Sequence, residues 1–127
     1  MRVLLAVIPA LILWVACGED HSHDLMKIGE HSVFRPPSEM GAVADSEEVY
    51  GKWLDSCSAE DNIGQFELVS SGRVALVDAG TRILILDYGR VHFTSLYKFR
   101  IVEGKSFGKA AWAPQQYFKR DTQAVTQ

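Results

Sequence analysis

From Arg73 to Pro114 apolar residues keep falling at alternate positions, and this period of two constrains the fold more than any other feature of the chain. The stretch "RVALVDAGTRILILD" reads as two short strands around Ala79-Gly80, the second ending near Asp87. The stretch "VHFTSLYKFRIV" alternates through residues 91–102. It places Val91, Phe93, Tyr97, Phe99 and Ile101 on one face and His92, Thr94, Lys98 and Arg100 on the other. "EGKSFGKAAWAP" then supplies a turn over residues 103–108 and a last short strand over 109–113. Short strands joined by glycine-containing turns predict a mainly β domain. Closing such a sheet into a small barrel removes the unpaired edges that invite aggregation.

Upstream of Gly72 the period is helical. In "DSEEVYGKWLDSC" Val49, Trp53 and Cys57 recur at four-residue spacing, with Tyr50 and Leu54 beside them. Asp45 is placed to cap this helix and Glu48 to complete a capping box. In "AEDNIGQFELVS" Ser58 is placed as the cap, Ile63, Phe66 and Val69 line one side, and Gly72 suits the left-handed end. Residues 43–72 are thus expected to form two short helices that need a surface to pack on.

The N-terminus points to export. After Met1-Arg2, residues 3–15 are apolar throughout, broken only by Pro9. Thirteen residues are too few for a bilayer span, which takes about 20, and fit the apolar core of a secretory signal. Ordinary signal peptidase prefers a small residue three positions before its cut, and a cut after Ala16 would put Trp14 there. The stretch Trp14-Val15-Ala16-Cys17 instead resembles the bacterial lipobox, in which the cysteine is diacylated and becomes the new N-terminus. That resemblance implies a signal peptide over residues 1–16 and a membrane-anchored lipoprotein with Cys17 as the lipidation site. Ordinary secretion, or an uncleaved anchor, is the alternative. Residue 18 is Gly rather than Asp, so an acidic inner-membrane retention signal is absent there. Residues 17–42, with "GEDHSHD" and Pro36-Pro37, show no sustained period and read as a flexible tether. With Cys17 acylated, Cys57 is the remaining thiol of two cysteines, which excludes an intrachain disulfide and suits a small, partly buried apolar residue.

Net charge is −3, unevenly spread. Residues 17–72 hold three basic and twelve acidic side chains, whereas residues 73–120 hold nine basic and three acidic. The basic half suits an anionic partner or the acidic half of its own chain.

Residues 80–118 resemble a bacterial SH3-like barrel, by Gly80-Thr81 opening a strand, the long alternating strand, the Glu103-Gly104 turn and the closing "GKAAWAPQQYF". Gly108, Trp112, Pro114 and Tyr117 match the closing pattern of that family, with alanine at 111 and 113 where glycine and a larger apolar residue are usual. The resemblance implies a small barrel over residues 73–118, followed by a loose polar tail over 119–127. In eukaryotic relatives an aromatic groove holds proline-rich segments. Tyr97, Trp112, Pro114 and Tyr117 would supply its walls here, but the basic half offers no acidic loop to meet a ligand arginine. Envelope relatives more often contact protein or cell wall, and Lys98 and Arg100 then join the aromatics as candidate binding residues.

No catalytic constellation stands out, so a non-enzymatic role without a cofactor is expected. His21 and His23 in "DHSHD" are weak metal candidates, because a flexible tether lacks the supporting shell that metal sites use. His92 has no nucleophile near it in sequence. The expectation is a cell-envelope lipoprotein whose β module binds an envelope protein or a cell-wall polymer and no nucleic acid. Wall glycan or stem-peptide binding through Trp112 and Tyr117, and metal handling by the His-rich tether, are the alternatives.

Overall fold

The computed structural model describes residues 25–120. The expected signal peptide over residues 1–16, Cys17, His21, His23 and residues 121–127 lie outside the described residues. The described chain is mainly β: strands β1 (His31–Phe34) and β2 (Met40–Ala44), helices α1 (Glu47–Ser58) and α2 (Asn62–Ser70), then β3 (Val74–Asp78), β4 (Thr81–Val91), β5 (Thr94–Ile101) and β6 (Ala110–Pro114), a 3-10 turn (Gln115–Tyr117) and β7 (Phe118–Arg120). All seven strands join one antiparallel sheet in the order β3-β2-β6-β5-β4-β1-β7.

The sheet is open, which corrects the expected closed barrel: its two ends, β3 and β7, do not pair. It is nevertheless strongly curled. Val43 of β2 and Val77 of β3 share a buried cluster with Phe34, Ile83, Ile85, Tyr97, Phe99, Ile101 and Phe118, although three strands separate β2 from β1 in the order. Gly41 shows how close the approach is, since a Cβ there would lie 2.8 Å from the ring of Phe34 and 2.7 Å from Pro36. A register shift between Ile85 and Asp87 in β4 adds bend where the long hairpin needs it. The unpaired ends are short, three residues in β7 and five in β3, which limits their use as templates for other strands.

A second apolar cluster lies under α1. Val49 and Tyr50 pack with Ala44, Val74 and Leu96, flanked by Trp53, Leu54, Leu68, Val91 and Trp112. Ser46 caps this helix, its side chain accepting the Val49 N–H at 3.1 Å. The cap therefore sits one residue later than expected; the Asp45 backbone still continues the β2–β3 pairing, its N–H donating to the carbonyl of Arg73 at 3.0 Å. Helix α2 begins at Asn62 with Asp61 as cap, its carboxylate accepting the Gly64 N–H at 2.9 Å. The Ser58 cap is thus displaced too, since residues 57–61 turn back onto α1 through bonds to the Ser56 and Cys57 carbonyls.

Other expectations are overturned by long-range pairing. The tether gives way to structure by residue 25: β1 pairs with β4 and β7, and β2 with β3 and β6. Lys119 and Arg120 belong to β7 rather than to a loose tail. The strand expected over residues 91–102 is broken at His92-Phe93, a two-residue hairpin loop in which His92 takes φ 56°. Phe93 is therefore 95% exposed at the tip, not part of the buried face. Ile63 and Phe66 are also exposed, at 73% and 72%, because α2 packs inward through Leu68. Cys57 is exposed rather than partly buried, near the C-terminal end of α1. Partial screening still pushes its thiol above the usual range.

Candidate functional site

Strand parity divides the six candidate binding residues. Tyr97 stands opposite Ala113 on the inner face, whereas Lys98 stands opposite Trp112 and Arg100 opposite Ala110 on the outer one. The aromatic residues therefore do not converge on one open groove.

Tyr97 is a core residue, 2% exposed. Its ring meets Phe118 edge-on at 5.4 Å and tilts against Tyr88 at 5.8 Å. Its hydroxyl accepts the Met26 N–H at 2.7 Å. Burial pushes the phenol above its ordinary pKa. Tyr88, the next aromatic on β4, donates its hydroxyl to the Met26 carbonyl. Two tyrosines thus grip both backbone groups of Met26, whose side chain is itself buried. Nothing in the residue 25–30 stretch signals this clamp, because its partners lie more than sixty residues away.

Trp112 is half-buried in the cluster under α1, and Pro114 is buried opposite Leu96. Tyr117 is half-buried against the main core, with its ring edge-on to Phe34 at 6.0 Å. Tyr50 approaches it from α1, and burial foremost, with the neighbouring Tyr117 phenol adding to it, drives the Tyr50 pKa far up. The aromatic wall expected to hold a ligand is thus packed in large part by the chain's own helix. Glu47 completes the seam by accepting the Arg90 N–H at 2.9 Å beside Gly89, over which the Trp112 ring also lies.

The outer face beyond α1 is open and polar. Lys98 faces Asp87 across the strands, and Arg100 faces Leu84. The Arg100 guanidinium donates to the carbonyl of Gly108 at 3.1 Å, which aims its charge along the β5–β6 loop. Arg82 and Lys119 lie on the same side, paired across β1 through Val33. Glu103 lies nearby, its carboxylate accepting the Arg82 N–H at 3.0 Å. This face offers several cations and two carboxylates, an arrangement that can meet an anionic surface.

Two further features lie between the helices and the hairpin. An open groove of about 620 Å³ runs between α1 and α2, lined by Lys52, Asp55, Asp61, Glu67, Leu68 and Arg73 among others. His92 at the hairpin tip lies 3.1 Å from Asp55 of α1, both substantially exposed. The contact pins the hairpin against the helix, where Gly51 leaves room for Val91. Among the described residues no group of three or more His, Cys, Asp or Glu side chains is arranged to hold a metal ion. No helix among them is long and apolar enough to cross a membrane. Compared with family models, curated proteins and solved structures, the chain matches none.

Proposed function

We propose that this chain is a bacterial cell-envelope lipoprotein whose β module acts as a non-enzymatic binding or assembly unit. The observation that carries the reading is Trp14-Val15-Ala16-Cys17 at the end of a thirteen-residue apolar run that follows Met1-Arg2. In this reading Cys17 is diacylated and the membrane is reached through that anchor. The module itself is of SH3-like type. Supporting that are the run β6-β5-β4-β1-β7 within the sheet, the long β4–β5 hairpin, and the Trp112-Ala113-Pro114 strand that turns through Gln115–Tyr117 into β7.

The partner is an envelope protein or a wall polymer, met through the outer face around Lys98 and Arg100 rather than through a proline-peptide groove. The packing of Tyr50 against Tyr117 and the burial of Tyr97 argue for that choice. The test is the intact mass of the protein recovered from producing cells, with Cys17→Ala alongside. A mass of residues 17–127 plus acyl chains, lost in the variant, is expected. A full-length unmodified chain in the soluble fraction overturns the proposal.

A further inference from the structure

Residues 25–30 form a strap held against the sheet at several points. The Leu25 carbonyl oxygen accepts from the Arg120 guanidinium at 3.3 Å, and Met26 is clamped by Tyr88 and Tyr97. Gly29 N–H bonds the Ile85 carbonyl at 2.7 Å, and the Ile85 N–H returns to the Glu30 carbonyl at 3.0 Å. Glu30 and Arg120 close the strap with a 2.7 Å ion pair. A segment fixed this thoroughly would be expected to bury its apolar side chains. Only Met26 is buried; Leu25 and Ile28 are 50% and 58% exposed, and Tyr88 beside them 39%. Lys27 stands between the two aliphatics, exposed.

We propose that this strap is a bilayer-contact surface, with Leu25 and Ile28 seated at the interface of the leaflet that holds Cys17 and Lys27 among its headgroups. The inference rests on the lipid-anchor reading above. Chain length supplies the argument for the occupant. Seven residues, 18–24, separate Cys17 from Leu25. Fully extended, that link spans about 28 Å, and as a flexible coil about 16 Å. The strap is the first part of the module reached from the anchor, so it meets the leaflet at a high effective concentration and needs little affinity of its own. Exposed aliphatic side chains flanking a lysine, with a tyrosine alongside, are the chemistry that settles at a lipid interface.

The test uses the mature lipoprotein in vesicles of phosphatidylethanolamine and phosphatidylglycerol. With Cys57→Ser and Cys17 acylated, Ile28→Cys provides a unique thiol for a nitroxide label, and Lys105→Cys in the β5–β6 loop provides the comparison. At position 28 the label is expected to collide more with oxygen and less with a water-soluble nickel chelate than the label at 105. Equal, water-like accessibility at both positions in a protein whose mass shows the acyl chains overturns the strap proposal alone. A mass without acyl chains overturns the anchor and the strap together. Ile28 is exposed, so its replacement leaves the fold intact, and the far-ultraviolet circular dichroism of the labelled variant should match that of the parent.

Discussion

Gly89 offers the sharpest test of the packing between α1 and the sheet. A methyl group added there would press on the Glu47 carboxylate, with Cδ 2.8 Å away, and on the Trp112 ring. Glu47 has a flexible side chain and can swing aside, but doing so breaks its bond to the Arg90 N–H. Trp112 cannot retreat as easily, because its ring is wedged among the residues under α1. Overpacking of this kind costs about 1–3 kcal/mol. Loss of a hydrogen bond to a charged group adds about 1.5–3 kcal/mol where it is not replaced by water. Glu47 is only half-buried, so water recovers part of the second cost, and Gly89→Ala should destabilise by about 2–4 kcal/mol. Urea unfolding followed by tryptophan fluorescence measures this directly; with a slope near 1 kcal/mol/M, the midpoint falls by about 2 M or more. Adding Glu47→Ala to Gly89→Ala removes one of the two clashes and should recover part of the loss. A midpoint within about 0.5 M of the parent would refute the close approach of Glu47 and Trp112 over β4.

Tyr97→Phe leaves the Met26 N–H without its partner and should cost about 1–3 kcal/mol, with faster amide hydrogen exchange concentrated in residues 26–29. Unchanged exchange there would refute the clamp. Ser46→Ala should cost about 1 kcal/mol in thermal or urea unfolding, whereas Asp45→Ala, which removes only a 3.8 Å exposed contact with Arg73, should cost less; the reverse order would return the cap to Asp45. Burial raises the pKa of Tyr50 and, less strongly, of Tyr97, so the folded state favours both neutral phenols. Their contribution is complete below the unfolded phenol pKa of about 10 and is lost as pH rises above it. Tm should therefore fall steeply from pH 10 upward, and less steeply in Tyr50→Phe; parallel curves for parent and variant would count against the burial of the Tyr50 phenol.

The sequence made some elements of this fold legible and hid others for identifiable reasons. Alternation of apolar residues located β3, β4, β5 and β6, and glycine marked the turn after Ile101. It ran straight through His92-Phe93, because the hairpin loop there uses a histidine at positive φ where glycine or asparagine would have announced a turn. Strands β1 and β2 left almost no local trace. "HSVF" is four residues long and "MGAVA" contains a glycine, and each is a strand only because distant partners complete it. The helical stripe of α1 was readable through Val49 and Tyr50, whereas in α2 the apolar residues with the cleanest spacing, Ile63 and Phe66, face outward. For the candidate site, parity alone separates Tyr97 from Lys98 and Trp112. What spacing could not reveal was that α1 would pack Tyr50 against Tyr117.

The pairing of β1 with β7 also sets the order in which the molecule can assemble. Ser32 binds the carbonyl of Lys119, 87 positions later, and Leu25 binds Arg120, 95 positions later. The last strand to leave a ribosome or a translocation channel is thus the one that fastens the first. Until residues 118–120 emerge, β1 has β4 on one side and no strand on the other, the Met26 strap lacks its arginine, and Phe34 lacks the Phe118 ring at 5.5 Å. Contacts of such high sequence separation favour slow folding that gathers late, with little stable structure in the growing chain. On the proposed lipoprotein reading the chain crosses a membrane as an extended thread, and folding that gathers late suits such a passage.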